Sequence, residues 1–149
     1  MQTTLAGDFM MVVLDTNHFT EWVNEGASGA RLQERCATHK AIVFTTIVTS
    51  QESAEGWFAL IKRHPAGPMQ VPGYRLYQRS CSILSEMGTL AFDEDAAEIV
   101  EALKASRVRI GSMDLKIAAI CLAHDALLLT RNLRDFAQVP ELKVENWLD

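Results

Sequence analysis

Four short apolar segments, separated by stretches long enough to form helices, constrain the fold of this chain more than any other feature. Near-continuous apolar runs of this kind are typical of strands that are buried on both faces, as in parallel sheets. Strands that alternate with helices predict an α/β fold with a mainly parallel sheet and helices on both faces. The four segments are residues 11–14, 41–44, 126–129 and, more mixed in composition, 142–145.

The intervening stretches carry helical patterns. Trp57, Phe58 and Ile61 predict an apolar stripe on one helix, and the helix over 112–124 is apolar nearly all round, which predicts a central, packed position. Gly and Pro residues between 67 and 73 predict a loop. The predicted helices are 21–38, interrupted near 26–29, then 50–63, 74–87, 93–106 and 112–124.

The length of 149 residues fits one compact domain. We expect residues 1–10 to be an N-terminal extension or to precede an alternative start, and residues 11–149 to form the domain. No apolar run approaches the roughly 20 residues that span a bilayer, and no signal sequence is evident. The three cysteines are widely spaced and without zinc-ligand patterns, so we expect buried free thiols and a cytoplasmic location.

Carboxylates follow the predicted strands or begin the helices after them. Asp15 ends the first strand, Asp114 lies in the first turn of the apolar helix, and Asn132 and Asp135 follow the strand at 126–129. Glu52 begins the helix after the second strand. Because ligands bind outside the carboxyl ends of parallel strands, we expect these side chains to converge on one edge of the sheet.

Each of these residues also has a purely structural interpretation. Asp15 and Asn132 are typical helix caps, and Thr49-x-x-Glu52 spells a capping box, which for Glu52 alone is the favoured interpretation. Asp114 would favour its helix dipole. Capping explains each residue separately, but it does not explain why all of these side chains are expected at one edge of the sheet.

An oxygen-only ligand set without His or Cys is the kind that Mg²⁺ or Mn²⁺ prefers. Such ions activate water for phosphodiester hydrolysis. The formal net charge of −5 argues against a broad basic surface for nucleic acid. Metal bound among the carboxylates, or a basic partner, would offset that charge.

The ordered set of motifs resembles the PIN domain family, and in particular its VapC-type toxin ribonucleases. Residues 11–17 (MVVLDTN) are similar to the family's opening strand and first acid, and Glu52 to its second acid. Residues 110–119 (IGSMDLKIAA) resemble the third-acid helix, residues 129–136 (LTRNLRDF) the last motif, and residues 144–147 (VENW) the final strand.

This resemblance implies a three-layer α/β/α fold and a Mg²⁺- or Mn²⁺-dependent endoribonuclease that acts on RNA. It also implies a cognate antitoxin as partner and a homodimer. Asp15, Glu52 and Asp114 would be metal ligands and catalytic residues, and the fourth position would be filled by Asp135 or Asn132. Thr16, Asn17, Thr130 and Asn132 would be supporting polar residues. Lys116, Arg131 and Arg134 lie in or beside these motifs and are candidate phosphate contacts, and each is equally compatible with a solvated surface charge.

Two other functions are weighed against this one. An aspartyl phosphatase also uses an Asp at the end of the first strand, but usually has a second acid two residues later, where this chain has Asn17. A catalytically weak PIN-like module that binds RNA or protein is the non-enzyme alternative.

Overall fold

A five-stranded, entirely parallel sheet forms the centre of the protein, in the order β3-β2-β1-β4-β5. The structure, a computed structural model, describes residues 9–149. The expectation for the N-terminal segment therefore lies almost wholly outside the described residues. The strands are β1 Met10–Leu14, β2 Ala41–Thr46, β3 Gly88–Leu90, β4 Leu127–Leu129 and β5 Lys143–Glu145.

Seven α-helices connect the strands within the described part of the chain. A 3-10 turn at Pro68–Gln70 precedes the fourth helix. Among these residues, no helix combines the length and apolarity needed to cross a membrane. The helices are α1 Thr16–Asn24, α2 Ala27–Thr38, α3 Ile47–Lys62, α4 Val71–Glu86, α5 Glu94–Ala105, α6 Ser112–His124 and α7 Leu133–Phe136.

Two hydrophobic cores lie on opposite faces of the sheet, because successive side chains of a strand point to opposite sides. Val12 and Leu14 of β1 join residues of α1 to α4 in one core, whereas Val13 joins residues of α5 and α6 in the other. In β4, Leu128 likewise lies in the second core, and its two neighbours lie in the first. The predicted three-layer α/β/α architecture is confirmed.

The strand order defines where a ligand site can form. The chain first moves from β1 outward to β2 and β3, and then returns to add β4 and β5 on the other side of β1. The order therefore reverses between β1 and β4. In such sheets the crevice at the carboxyl ends of these two strands is the usual binding position.

Several local predictions are wrong. The strand β3 was not predicted, and α1 begins at Thr16 rather than near residue 21. Pro72 and Gly73 lie in the first turn of α4 rather than in a loop. Phe58 is exposed rather than part of a buried stripe, and it packs edge-on against Tyr77 with ring centroids 5.0 Å apart.

The cysteine prediction holds only in part. Cys36 and Cys121 are buried free thiols, as expected, but Cys81 is exposed on α4.

Candidate active site

Asp15 is the most deeply buried carboxylate at the carboxyl edge of the sheet, with 6% of its surface exposed. It follows β1 directly and is the N-cap of α1, so the sheet and the helix together fix its backbone. Its Oδ1 accepts a hydrogen bond from the backbone N–H of Thr16 (2.7 Å), and its Oδ2 accepts one from the Thr130 hydroxyl (2.7 Å). Burial raises the pKa of Asp15, the two hydrogen bonds lower it, and the charge of Glu52 raises it further.

Thr130 orients Asp15 from across the strand-order reversal. The residue follows β4 and is fully buried. Its hydroxyl oxygen accepts a hydrogen bond from the backbone N–H of Asn132 (2.9 Å), so its proton is free to be donated to Asp15. The backbone N–H of Thr130 continues the β4–β5 ladder to the carbonyl of Glu145 (2.9 Å). The hydroxyl and the backbone of Thr130 are therefore each fixed by a hydrogen bond.

Glu52 is not part of a capping box, which corrects the structural interpretation of this residue. Helix α3 begins at Ile47, and Thr46 is its N-cap, accepting a hydrogen bond from the backbone N–H of Thr49 (3.0 Å). Glu52 consequently lies in the second turn, where no backbone donor needs its carboxylate. Its Oε1 instead accepts a hydrogen bond from the Thr16 hydroxyl, so the residue after Asp15 connects the first and second acids.

Asp114, Asn132 and Asp135 form the other side of the site. Asp114 is the third residue of α6 and is partly buried. The side-chain amide of Asn132 donates to Asp114 Oδ2 (3.3 Å) and to Asp135 Oδ2 (3.0 Å). Asn132 is the N-cap of α7 by position, but its side chain makes no capping hydrogen bond. Asn132 joins two carboxylates instead, so both Asn132 and Asp135 lie beside Asp114.

The electrostatics of this edge are strongly anionic. Burial, followed by the charges of Asp15, Glu52 and Asp135, raises the pKa of Asp114 to about 6, while the hydrogen bond from Asn132 lowers it. Within residues 9–149, none of the ion pairs includes any of these four carboxylates. Partly buried carboxylates without a cationic partner are costly to keep ionised, so the edge favours a bound cation.

The donor set fits a hard divalent cation, since every candidate ligand is an oxygen atom. In the described part of the chain, no three His, Cys, Asp or Glu side chains are already close enough to form a metal-binding group. Coordination would therefore have to draw the carboxylates closer together. Before a cation binds, hydrogen bonds from Thr16, Thr130 and Asn132 hold the carboxylates in defined orientations.

Among the described residues, the other predicted side chains lie outside this hydrogen-bonded group of carboxylates. Asn17 is exposed in the first turn of α1 and, within residues 9–149, makes no hydrogen bond to the carboxylates. Lys116 is partly buried on α6 and lines a cavity of about 310 Å³ with Phe92 on the other side of α3. Arg131 is paired with Asp149 (3.2 Å), and Arg134 is exposed on α7.

A basic residue that was not predicted lines a cavity that also includes Glu52. Arg63 follows α3 and lines a cavity of about 270 Å³ together with Glu52. The two residues are 11 positions apart, which is about three helical turns, so they share one face of the helix. That spacing was available in the sequence, but only once the limits of α3 were known.

The fold and the carboxylate edge define an α/β/α protein with an acidic site at its strand-order reversal. The chain belongs to the PIN domain family, because the family's model, described as PIN domain, matches residues 12–142. The predicted family is thereby confirmed.

Two curated relatives match shorter segments of the chain. Ribonuclease VapC of Rickettsia bellii is 42% identical over 48 residues, which cover 32% of this chain and 36% of that protein. Ribonuclease VapC2 of Rickettsia felis is 45% identical over 38 residues, which cover 26% of this chain and 28% of that protein. The matched segments thus span about a third of the length of these relatives.

Solved structures resemble the chain over nearly its whole length. VapBC2 from Rickettsia felis, bound to a DNA fragment from its promoter, superimposes with a TM-score of 0.70 at 22% identity, covering 93% of this chain and 99% of that one. VapBC-1 from nontypeable Haemophilus influenzae gives a TM-score of 0.70 at 20% identity, covering 94% and 100%. At this level of identity the likeness establishes the fold.

Proposed function

We propose that this protein is a Mg²⁺- or Mn²⁺-dependent endoribonuclease and the toxin of a VapBC-like toxin–antitoxin pair. The observation that carries the proposal is a group of four carboxylates at the strand-order reversal of a PIN domain, none of which has an ion-pair partner among residues 9–149. The ribonuclease names of the curated relatives support the same activity.

Asp15, Glu52 and Asp114 would hold the cation. When bound, the cation would stabilise charge on the phosphate and lower the pKa of the attacking water. Thr130 and the backbone N–H of Thr16 favour the ionised form of Asp15 and fix its orientation.

Asp135 and Asn132 would orient the attacking water, which adds to phosphorus as the bond to one ribose oxygen breaks. One product then carries the phosphate and the other a hydroxyl. Lys116 and Arg134 remain candidate phosphate contacts, whereas Arg131 would first have to leave Asp149.

An antitoxin is the expected protein partner, since the matching structures are of VapBC. A net charge of −5 favours a basic binding segment on that partner. We also expect a homodimer, and action in the cytoplasm, where the free thiols of this chain would stay reduced.

The test is cleavage of a mixed-sequence RNA in Mn²⁺, in Mg²⁺ and in EDTA. We expect cleavage only with metal, and loss of cleavage to background in Asp15→Asn and Asp114→Asn. Glu55→Gln is the matched control, because Glu55 is an exposed acid on α3 only three residues from Glu52.

Full activity in either Asn variant, or in EDTA, would refute the assignment. Metal binding by the wild-type protein without RNA hydrolysis would instead indicate the RNA- or protein-binding module.

A further inference from the structure

The cavity beside Glu52 has features that the proposed hydrolysis does not use. It lies between α1, which contributes Thr16 and Thr20, and α3, which contributes Glu52 and Trp57. Its volume of about 270 Å³ is close to the lower end of the range for small-ligand pockets. Because Glu52 belongs to both, the cavity adjoins the carboxylate edge.

Two side chains that line the cavity have polar atoms without a hydrogen-bond partner. Ser53 and Trp57 are 5% and 8% exposed, and within residues 9–149 neither Ser53 Oγ nor Trp57 Nε1 forms a hydrogen bond. Buried polar groups are nearly always paired, because an unpaired one forfeits its bonds to water. Both atoms have almost no accessible surface, so a ligand that offers hydrogen-bond acceptors would pair with them only after a small movement of the Ser53 and Trp57 side chains.

The cavity also carries charges of both signs. Glu52 stands on α3 about 16 Å along the helix from Arg63, from the rise of about 1.5 Å per residue. Within the described residues, Arg63 takes part in no ion pair and is exposed. In a chain of net charge −5, this guanidinium is an available cation for pairing with a phosphate group.

We propose that this cavity is the subsite for the nucleobase next to the scissile phosphodiester, with Arg63 contacting a neighbouring phosphate of the same RNA strand. The inference rests on the proposed ribonuclease function and adds to it a determinant of cleavage-site preference. Proteins read single-stranded RNA by receiving splayed-out bases in pockets that hydrogen-bond their edges. A base supplies acceptors for Ser53 and Trp57, and its flanking phosphate supplies the anion for Arg63. A cationic peptide side chain would be attracted by Glu52 but repelled by Arg63.

Gly56 provides a way to close the cavity without disturbing the fold. It lines the cavity, and a Cβ added there would have no atom within 4 Å. Leucine is also a better helix former than glycine. The variant Gly56→Leu therefore places a side chain in the subsite while α3 is retained. Ala59→Leu is the control, because it adds the same side chain to an exposed position of α3 that does not line the cavity.

The experiment measures cleavage rates and cleavage positions on a mixed-sequence RNA for the wild type and both leucine variants. It also measures binding of a fluorescently labelled single-stranded RNA by anisotropy in EDTA. We expect Gly56→Leu to cleave at preferred sites at least tenfold more slowly, to lose nucleotide preference and to bind RNA more weakly. Ala59→Leu should match the wild type.

Ser53→Ala separates binding from stability. It removes a buried hydroxyl that has no hydrogen-bond partner among residues 9–149. Its melting temperature should therefore equal or exceed that of the wild type, while cleavage at preferred sites slows several-fold. A residue with a purely structural role would not give this combination.

The proposal is overturned if Gly56→Leu retains wild-type cleavage pattern and RNA affinity, or if that variant loses only binding to its protein partner. If the wild type cleaves nothing, the ribonuclease function fails, and the binding measurement alone decides the subsite. Weaker RNA binding by Gly56→Leu than by Ala59→Leu would then support it, and equal or absent binding would refute it.

Discussion

Replacing Asp114 by Asn should stabilise the metal-free protein while abolishing its activity. The pKa of Asp114 rises from 3.8 to about 6, so folding disfavours its ionised form. Each pKa unit corresponds to about 1.36 kcal/mol, which gives an upper limit of about 3 kcal/mol at neutral pH. Because the carboxylate is only partly buried, solvent screening reduces this, and we expect a gain of about 1–2 kcal/mol. Asn keeps an oxygen that can accept the hydrogen bond from Asn132.

The assay is thermal and urea unfolding in EDTA from pH 4 to pH 8. A group whose pKa is raised on folding contributes most stability at low pH, and that contribution is lost as the pH rises from 3.8 to about 6. The advantage of Asp114→Asn should therefore be largest above about pH 6, at roughly 2–8 °C in Tm, and should shrink toward pH 4. A variant that is less stable than the wild type at pH 7.5, or whose difference does not change with pH, would refute the reasoning.

Three further predictions concern the Thr130 hydroxyl, the pH dependence of Mn²⁺ binding and the close approach of α2 to α1 at Gly29. Thr130→Val removes the buried hydroxyl that donates to Asp15 and should lower the free energy of unfolding, measured in urea, by about 1.5–3 kcal/mol. Thr130→Ser keeps the hydroxyl and should lower it much less, and a Val variant as stable as the wild type would contradict this. Protons compete with the cation at Asp114, so the affinity for Mn²⁺ should fall as the pH is lowered through about 6. The measurement is the increase in Tm that Mn²⁺ causes at each pH, and an increase that does not change with pH would argue against Asp114 as a ligand. Gly29→Ala should lower the free energy of unfolding by about 1–3 kcal/mol in the same assay, because the added Cβ overlaps the carbonyl oxygen of Glu21 where α2 meets α1. An unchanged unfolding midpoint would show that the two helices move apart at no cost.

The sheet could be predicted where its strands are apolar on both faces, as in β1, β2 and β4. The strand β3 was missed because it has only three residues and includes Gly88, which weakens any strand pattern. The reason for this glycine is tertiary: Gly88 pairs with Phe44, and a Cβ there would overlap the Phe44 ring. Such a contact cannot be read from a local window of sequence.

Helix limits were harder to predict than helix existence. Helix α3 begins with the β-branched residues Ile47 and Val48, which extend the strand-like pattern of β2. Pro72 is accommodated in the first turn of α4, where its missing N–H is not needed, and Gly73 packs closely against Ile61. Both residues are typical of loops when they are considered without their neighbours.

The candidate site illustrates the same division between local and tertiary information. The end of β1 located Asp15, and the first turn of the apolar helix α6 located Asp114. Glu52 was indistinguishable from a cap until α3 was shown to begin at Ile47. The connection from Asn132 to both Asp114 and Asp135 depends on where the segment after β4 lies relative to the first turn of α6, and no sequence spacing predicts it.

The most direct test is an anomalous difference map from crystals grown with Mn²⁺. The account predicts a peak at the strand-order reversal, with carboxylate oxygens of Asp15, Glu52 and Asp114 drawn in to ligand distance and Thr130 still bonded to Asp15. No peak at this edge at saturating Mn²⁺, or a peak held by other residues, would contradict it.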